Sequence, residues 1–312
     1  MNQRTLTAAA IQLGPIPLSA PRNEVLDRLV ALLHTAADAG ATFVVYPELA
    51  LTSFFPHWRI DDRNELLQFY ETDFPHGSVA PIMRAAAQRA VTFEIGYAEV
   101  TPEGQLFNTA SLVDGTGELA RYRKVHLPGF ADEQPEAQHQ LLEKGYFGVG
   151  NLGFPVTEVQ RARVGMAICN DRRWPETYRL LALQGAEIAC IGYNTPVATP
   201  HLPEIDRLTH FQNHLSMQAG AYQNSMWVIG AAKAGVEEGV DQIGGSAIIA
   251  PSGEIVAQAH SVEDEVVVAE IDLDMCTRYR AEVFNFLHHR RPELYGPISA
   301  AMDPAWPYPM AR

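Results

Sequence analysis

The order of elements along the chain predicts an α/β fold, in which β-strands alternate with α-helices. Short apolar runs such as residues 41–46 show no polar alternation, which is typical of strands covered on both faces. Amphipathic helical stretches separate several of these runs, and no linker divides the chain. We therefore expect a single domain over residues 1–312.

Proline and glycine mark the ends of most predicted elements. The predicted strands cover residues 5–13, 41–46, 91–100, 163–169, 186–192, 226–232, 247–250, 255–259 and 266–271. The predicted helices cover residues 21–40, 78–90, the stretch that follows Pro175, and residues 204–222. One strand carries an unusual carboxylate, Glu94, between Phe93 and Ile95.

Two stretches resemble each other and predict β-hairpins. Residues 107–124 and residues 245–257 each contain a strand, a polar glycine-containing turn, a Gly-Glu pair and a second strand. This repetition favours a pseudo-symmetric arrangement of two sheets. Between them, residues 128–146 are polar and irregular, which indicates a surface loop with some helix.

Composition excludes several classes of protein. The net charge is −14, from 23 basic and 37 acidic residues, which argues against nucleic acid or an anionic membrane as a partner. No apolar run reaches the length of a membrane span, and the N-terminus lacks a signal core. The three cysteines form no CxxC pair and no zinc spacing, so we expect a reducing cytosol, no metal and no cofactor.

Cys169 is the first candidate for chemistry. An apolar strand leads into it, and Pro175 begins a helix soon afterwards, so the thiol is expected on a tight strand-to-helix turn. Such turns place side chains at the carboxyl edge of a sheet, where open α/β folds bind ligands. Two nearby arginines and the backbone N–H groups at the helix start favour the thiolate. A buried structural cysteine is the alternative.

Three charged residues could assist a nucleophile. Glu48 follows a buried strand and Pro47 amid apolar neighbours, which suits a general base, although a capping or loop carboxylate is the alternative. Lys124 ends the first hairpin, where a cation can stabilise an oxyanion or simply face solvent. Glu143 lies among apolar residues, where catalysis and a salt bridge or capping role are equally open.

Two further patterns allow more than one interpretation. Arg172 and Arg173 could hold a substrate carboxylate in a planar fork, or could pair internally with Asp171 or Glu176, and we expect one arginine in each role. Residues 148–153 match the dinucleotide pattern GxGxxG, but Pro155 follows at once and no helix is predicted.

Four motifs together resemble the nitrilase superfamily of carbon–nitrogen hydrolases, and within it the N-carbamoyl-D-amino acid amidohydrolases. They are FVVYPELALT (residues 43–52), YRKVHLPG (122–129), CNDRRWPE (169–176) and GYNTP (192–196). The likeness runs from Ile11 to about Gly296, and CNDRRWPE is its most specific part. One position departs from the pattern, since Leu141 stands where a histidine is expected, with His139 two residues upstream.

This resemblance implies a four-layer αββα sandwich and association into homodimers or homotetramers. It implies Glu48 as base, Lys124 as oxyanion donor, Cys169 as nucleophile and Glu143 as a fourth polar member. The residues that it implies for substrate binding are His126, Asn170, Arg172, Arg173, Asn194 and Thr195. We also expect the tail, residues 292–312, to pack on a neighbouring subunit.

The expected activity is hydrolysis of an N-carbamoyl amino acid, with the D form preferred, through a covalent Cys169 intermediate. Another amidase or a ureidopropionase-like enzyme that acts on a carboxylate-bearing amide would use the same residues. Two other classes stay open: a nucleotide-binding oxidoreductase, on the glycine pattern alone, and a catalytically silent binding protein.

Overall fold

The computed structural model describes residues 3–137, 139–198 and 203–300. These residues form two large β-sheets, with helices on both outer faces, and one separate two-stranded sheet. The strands, in chain order, are β1 (Thr5–Gln12), β2 (Phe43–Val45), β3 (Tyr70–Glu71), β4 (Thr92–Val100), β5 (Leu106–Asp114), β6 (Gly117–Arg123), β7 (Val156–Val159), β8 (Ala162–Ile168), β9 (Ile188–Tyr193), β10 (Trp227–Ala232), β11 (Ala234–Glu237), β12 (Val240–Ile243), β13 (Ala247–Ile249), β14 (Ile255–Gln258) and β15 (Glu265–Asp272).

Short and long helices connect these strands. The α-helices, in chain order, are α1 (Arg22–Asp38), α2 (Arg63–Leu67), α3 (Ala80–Arg89), α4 (Glu143–Tyr146), α5 (Pro175–Leu183), α6 (Thr209–Asn224), α7 (Leu273–Glu282), α8 (Phe286–His289) and α9 (Gly296–Ser299). Two 3₁₀ segments matter for the site: Cys169–Arg173 follows β8, and Pro203–Leu208 precedes α6.

Each of the two large sheets is mixed. In the described residues the first has the order β15-β1-β2-β4-β5-β6, with β3 also paired to β4. The second has the order β14-β13-β10-β9-β8-β7, and β11 and β12 form a separate hairpin. The central strands β8, β9 and β10 are parallel, so their carboxyl ends meet at one edge.

The alternation of side chains along β1 shows how the layers pack. Ala8 and Ala10 face the second sheet, in a core that also contains Met217 of α6. Ala9 and Ile11 face the opposite way and pack with α1 and α3. The resulting order is helices, sheet, sheet, helices, which confirms the predicted αββα sandwich.

Both predicted hairpins are present, as β5–β6 and β13–β14. Several elements of the second half differ from the predictions, among them β7, which the sequence pattern does not predict. The predicted helix over residues 204–222 begins as the 3₁₀ segment, and α6 starts only at Thr209. The hairpin β11–β12 was not predicted, because its turn at Glu238 and Gly239, with φ of +48° and +84°, lacks the usual Asn-Gly signal.

The C-terminal tail is described only in part. Residues up to 300 form a 3₁₀ turn (Pro292–Leu294) and α9, and the prediction for the remainder, with Trp306 and Tyr308, lies outside the described residues. Among the helices that the structure describes, none combines the length and the apolar character needed to cross a bilayer.

Candidate active site

Cys169 lies on the sharp turn between β8 and α5, so the predicted strand-to-helix turn is confirmed. Its backbone has a φ of +46°, in the left-handed region that residues with a side chain rarely adopt. Asp171 stabilises the turn, because its carboxylate accepts the backbone N–H of Ile168 at 3.0 Å. The turn presents a thiol that is only 6% exposed at the carboxyl edge of the second sheet.

Glu48 follows β2 and is completely buried. Its Oε1 atom accepts hydrogen bonds from Lys124 Nζ and Asn108 Nδ2, each at 2.7 Å. Its Oε2 atom accepts the backbone N–H of Asn194 at 2.9 Å. These three donors compensate for the loss of water around the carboxylate.

Two glycines allow Glu48 to sit between the sheets. A Cβ atom on Gly96 of β4 would lie 2.6 Å from the Glu48 Cα atom, and one on Gly192 of β9 would lie 2.6 Å from the Glu48 nitrogen. Because β4 belongs to the first sheet and β9 to the second, any larger residue at either position would displace Glu48.

Lys124 lies between two carboxylates. Its Nζ atom is 2.7 Å from Glu48 Oε1 and 2.5 Å from Glu143 Oε2, and all three side chains are buried. Burial alone would lower the pKa of Lys124, but the charges of Glu143 and Glu48 outweigh it and raise the pKa. Burial raises the pKa of Glu143 to about 7, against the opposing effect of Lys124. The cluster therefore combines a fixed cation with a carboxylate whose pKa is raised by burial.

The Cys169 thiol is protonated in the resting site. Burial and the charge of Glu48 raise the pKa of the thiol, while Lys124 and Arg172 act in the opposite direction. The thiol donates a hydrogen bond to the carbonyl oxygen of Asn194 at 3.1 Å. Arg172 therefore favours the thiolate, as the sequence predicts, but burial and the charge of Glu48 outweigh this effect in the resting site. A base must remove the proton before or during attack.

A cavity of about 170 Å³ lies beside the thiol. It brings together six of the residues predicted from the sequence: Glu143, Cys169, Asn170, Arg173, Asn194 and Thr195. His139 and Leu141 lie on its wall, so an imidazole is present there although position 141 lacks one. Ile205, Thr209 and Gln212 also line the cavity. The sequence gives no signal for them, because only the packing of α6 and its 3₁₀ segment brings them to the thiol.

Arg173 is exposed on the cavity wall, and no described residue forms a hydrogen bond or ion pair with its guanidinium. Arg172 is different, since its side chain points into the protein. It donates from Nε to Asn213 Oδ1, from Nη2 to Thr195 Oγ1 and from Nη1 to the carbonyl oxygen of Cys169, at 2.7–2.8 Å. This placement contradicts the predicted role of Arg172 in holding a substrate carboxylate, because the interior occupies the guanidinium.

His126 is also placed differently from the prediction, since it is not among the described residues that line the cavity. Its Nδ1 atom lies 2.7 Å from Asp171 Oδ1, and its ring stacks on Trp174. Its carbonyl oxygen accepts a hydrogen bond from Asn170 Nδ2 at 3.0 Å. His126 therefore contributes to the site by fixing Asn170, which does reach the cavity.

The glycine pattern at residues 148–153 has a packing role. The next regular element is β7, so no helix N-terminus is available for a pyrophosphate. A Cβ atom on Gly150 would lie 2.0 Å from the Arg123 carbonyl oxygen, so the close approach of two backbone segments requires glycine there.

Fold and geometry define a class of protein: an αββα sandwich with a buried thiol, a carboxylate and a lysine at one sheet edge contains the groups that cysteine-dependent hydrolysis uses. The chain belongs to the carbon–nitrogen hydrolase family, whose sequence model matches residues 7–281. This finding confirms the predicted family, fold and general class of enzyme.

Two relatives and one solved structure are similar to the chain over most of its length. The chain is 30% identical to a nitrilase of Pyrococcus abyssi over 288 residues, which cover 92% of this chain and 97% of that protein. It is 31% identical to an N-carbamoylputrescine amidase of Arabidopsis thaliana over 274 residues, or 85% and 86% of the two chains. The crystal structure of a carbon–nitrogen hydrolase from Helicobacter pylori G27 superimposes with a TM-score of 0.83 at 24% identity, covering 96% and 99%.

Proposed function

We propose that this carbon–nitrogen hydrolase converts an N-carbamoyl amino acid to the free amino acid, carbon dioxide and ammonia. The observation that carries the proposal is the unpaired guanidinium of Arg173 in the same small cavity as the Cys169 thiol. A planar guanidinium is the side chain best suited to bind a carboxylate. The substrate would thus present a carboxylate to Arg173 and a ureido carbonyl to the thiol.

In the proposed reaction, Glu48 takes the thiol proton as the sulfur attacks the ureido carbonyl. The geometry supports this step, because both groups bind the main chain of Asn194, the thiol at its carbonyl oxygen and the carboxylate at its N–H. Lys124 and the backbone N–H of Asn170 would stabilise the oxyanion, and one such donor typically contributes about 3–4 kcal/mol.

The second half of the reaction uses the same carboxylate. Ammonia leaves with a proton returned by Glu48, and the amino acid stays linked to Cys169 through its carbamoyl carbon. Water activated by Glu48 then cleaves the thioester-like bond, and the released carbamate decays to carbon dioxide and the amino acid. Glu143 holds Lys124 in place throughout and completes the cluster.

The cavity favours an acidic over a basic substrate. The substrate named for the Arabidopsis relative ends in an amine, whose positive charge would face Arg173. Among the described residues that line the cavity, the only carboxylate is Glu143, which Lys124 already binds. The preference for the D form rests on the resemblance of the CNDRRWPE block. A ureidopropionase-like enzyme or another amidase for carboxylate-bearing amides is the alternative.

A substrate panel tests the proposal. Ammonia release is measured with N-carbamoyl-D-alanine, N-carbamoyl-L-alanine, N-carbamoyl-β-alanine, N-carbamoylputrescine and propionamide, with the Cys169→Ala variant as the blank. We expect the highest kcat/KM for the D-carbamoyl amino acid. Faster hydrolysis of N-carbamoylputrescine or propionamide would overturn the proposed substrate class. A preference for the β form would support the alternative, and a preference for the L form would overturn only the proposed stereochemistry.

We also propose that the chain forms homodimers or homotetramers through α5 and α6. Phe211, Leu215 and Tyr222 recur at helical spacing on α6 and are exposed, and Leu180 of α5 is exposed as well. An exposed apolar stripe of this kind is typical of a surface that another subunit covers. The described part of the tail, Pro292–Leu294 and α9, borders a groove against α5 on the same side.

A further inference from the structure

Arg172 is a buried cation without a buried anion beside it. Its side chain is 1% exposed, and its partners are all neutral: the Asn213 amide, the Thr195 hydroxyl, the Cys169 carbonyl and the ring of Tyr193 at 4.5 Å. No carboxylate of the described residues lies within ion-pair distance of it. Burying a charge in this way is costly unless an opposite charge compensates it, so a missing counter-charge needs an explanation.

The neighbouring carboxylate does not supply that charge. Asp171 precedes Arg172 in the chain, but its oxygens accept hydrogen bonds from Tyr122, His126 and the backbone of Ile168. The Asp171 carboxylate is therefore occupied by hydrogen bonds to the turn and to the YRKVHLPG segment. An anion for Arg172 must come from another group.

The nearest group that can become an anion is the Cys169 sulfur, which lies 3.6 Å from Arg172 Nη1. Nη1 carries two hydrogens. One is used for the Cys169 carbonyl oxygen at 2.7 Å, and the other is available for the sulfur. The hydrogen bonds to Asn213 and Thr195 fix the plane of the guanidinium, so this contact is held in place before any reaction begins.

Loss of the thiol proton changes the sulfur from a hydrogen-bond donor to an acceptor. The resting thiol donates to the Asn194 carbonyl oxygen, and a thiolate in the same position would face that oxygen with no hydrogen to share. A thiolate accepts hydrogen bonds, and Arg172 Nη1, on the same turn as Cys169, can donate one to the sulfur. The other charged or titratable groups around the sulfur and the guanidinium are Glu48, Glu143, Lys124, Arg173, Tyr178, Tyr193 and His214.

We propose that Arg172 is a catalytic residue that acts as the counter-ion of the Cys169 thiolate, rather than as a receptor for the substrate carboxylate. The thiol proton passes to Glu48, and Arg172 neutralises the charge of the resulting thiolate. The sulfur electron pair then forms the bond to the ureido carbon, as the π pair of the carbonyl moves onto its oxygen to give the oxyanion. This assignment rests on the proposed function only in taking Cys169 as the nucleophile.

Alkylation of the thiol tests the proposal without any hydrolase substrate. Iodoacetamide forms a sulfur–carbon bond with the thiolate and releases iodide, and peptide mass spectrometry separates Cys169 from the buried Cys190 and Cys276. In Arg172→Met we expect the pH profile of Cys169 alkylation to move upward by at least about one unit, which is a tenfold lower rate at pH 7.5. Arg172→Lys should recover part of the rate, because it retains the charge.

Arg173→Met is the matched control. It removes the adjacent arginine, which faces the cavity, and should move the alkylation profile far less while it raises KM for carboxylate-bearing substrates. Arg172→Met should instead lower kcat with little change in KM. An unchanged alkylation profile in Arg172→Met, together with a large rise in KM, would overturn the proposal and return Arg172 to substrate binding.

A second variant controls for misfolding, because Arg172→Met leaves the Asn213 Oδ1 atom without its hydrogen-bond donor. The double variant Arg172→Met/Asn213→Leu removes donor and acceptor together, which proteins tolerate better. Circular dichroism and thermal unfolding check both proteins, and the alkylation result must agree between them. If no carbamoyl compound is hydrolysed, the proposed function fails, but the alkylation profile still decides the role of Arg172.

Discussion

Glu94 allows a quantitative test of how a buried carboxylate between the two sheets affects the free energy of unfolding. The residue lies in the middle of β4, in register with Val45 of β2 and Leu112 of β5, and is completely buried. Neither carboxylate oxygen has a hydrogen-bond partner among the described residues. Burial raises the pKa of Glu94 well above its ordinary value of 4.5. The folded protein therefore keeps a proton that the unfolded chain releases.

The sign of the pH dependence follows from this difference. Below pH 4.5 both states are protonated, and Glu94 has no pH-linked effect on stability. As the pH rises, the unfolded chain ionises first, so the free energy of unfolding falls by about 1.4 kcal/mol per pH unit until the raised native pKa is reached. An unpaired buried polar group costs about 1–3 kcal/mol in addition, at every pH.

Two substitutions separate these effects. Glu94→Gln keeps the shape and removes only the titration, so its stability relative to the wild type should increase with pH. Glu94→Met removes the unpaired polar group as well and should be more stable than Glu94→Gln throughout. Urea unfolding at pH 5, 6, 7 and 8, at one protein concentration, measures both differences. A difference between the wild type and Glu94→Gln that stays constant with pH would refute the reasoning.

Glu99, on the same strand, is a control for which the free energy of unfolding should depend on pH in the opposite direction. It is also buried, but Arg121, Arg123 and Thr109 bind its carboxylate, and these partners outweigh burial and lower its pKa. The wild type gains stability from Glu99 above its unfolded pKa and loses it as the pH falls through the lowered native value. Glu99→Gln should therefore destabilise the protein at neutral pH, whereas Glu94→Gln stabilises it.

Three other predictions concern the site and the surface. Cys169→Ala should abolish ammonia release and leave the circular dichroism spectrum unchanged; residual turnover near the wild-type level would exclude a covalent cysteine mechanism. Arg173→Lys should raise KM for a carbamoyl amino acid about tenfold or more, because a point charge replaces a planar fork, and KM for propionamide serves as the reference. Leu215→Asp, with Glu270→Gln as a surface control, should shift light-scattering mass to the monomer if α6 forms the subunit interface.

The sequence predicts the positions of the main strands well, because β8, β9 and β10 are buried on both faces and appear as continuous apolar runs. It predicts the boundaries near α6 poorly. The helical pattern of residues 204–222 continues through Leu208, yet the chain forms a 3₁₀ segment there whose residues are not buried. Where packing does not decide, the sequence pattern alone cannot distinguish the two helix types.

The reactive residues could be located because each follows a strand that ends abruptly. Pro47 places Glu48 beyond β2, and Pro175 limits the turn that contains Cys169. Their protonation states could not be predicted in the same way. The sequence shows the two arginines beside Cys169, but it does not show that Glu48, far away in the chain, lies close enough to raise the pKa of the thiol.

Arg172 and Arg173 show most clearly what only the structure can decide. The turn Cys169–Arg173 is a 3₁₀ helix, in which consecutive side chains point about 120° apart. Arg172 is therefore directed towards Asn213 of α6 and Arg173 towards the cavity. The two guanidinium groups thus have different surroundings, which favours separate roles for the two arginines. Under the proposed function Arg173 alone binds the substrate carboxylate, so we expect no second arginine to compensate for a substitution there, whereas Arg172 is proposed to stabilise the thiolate.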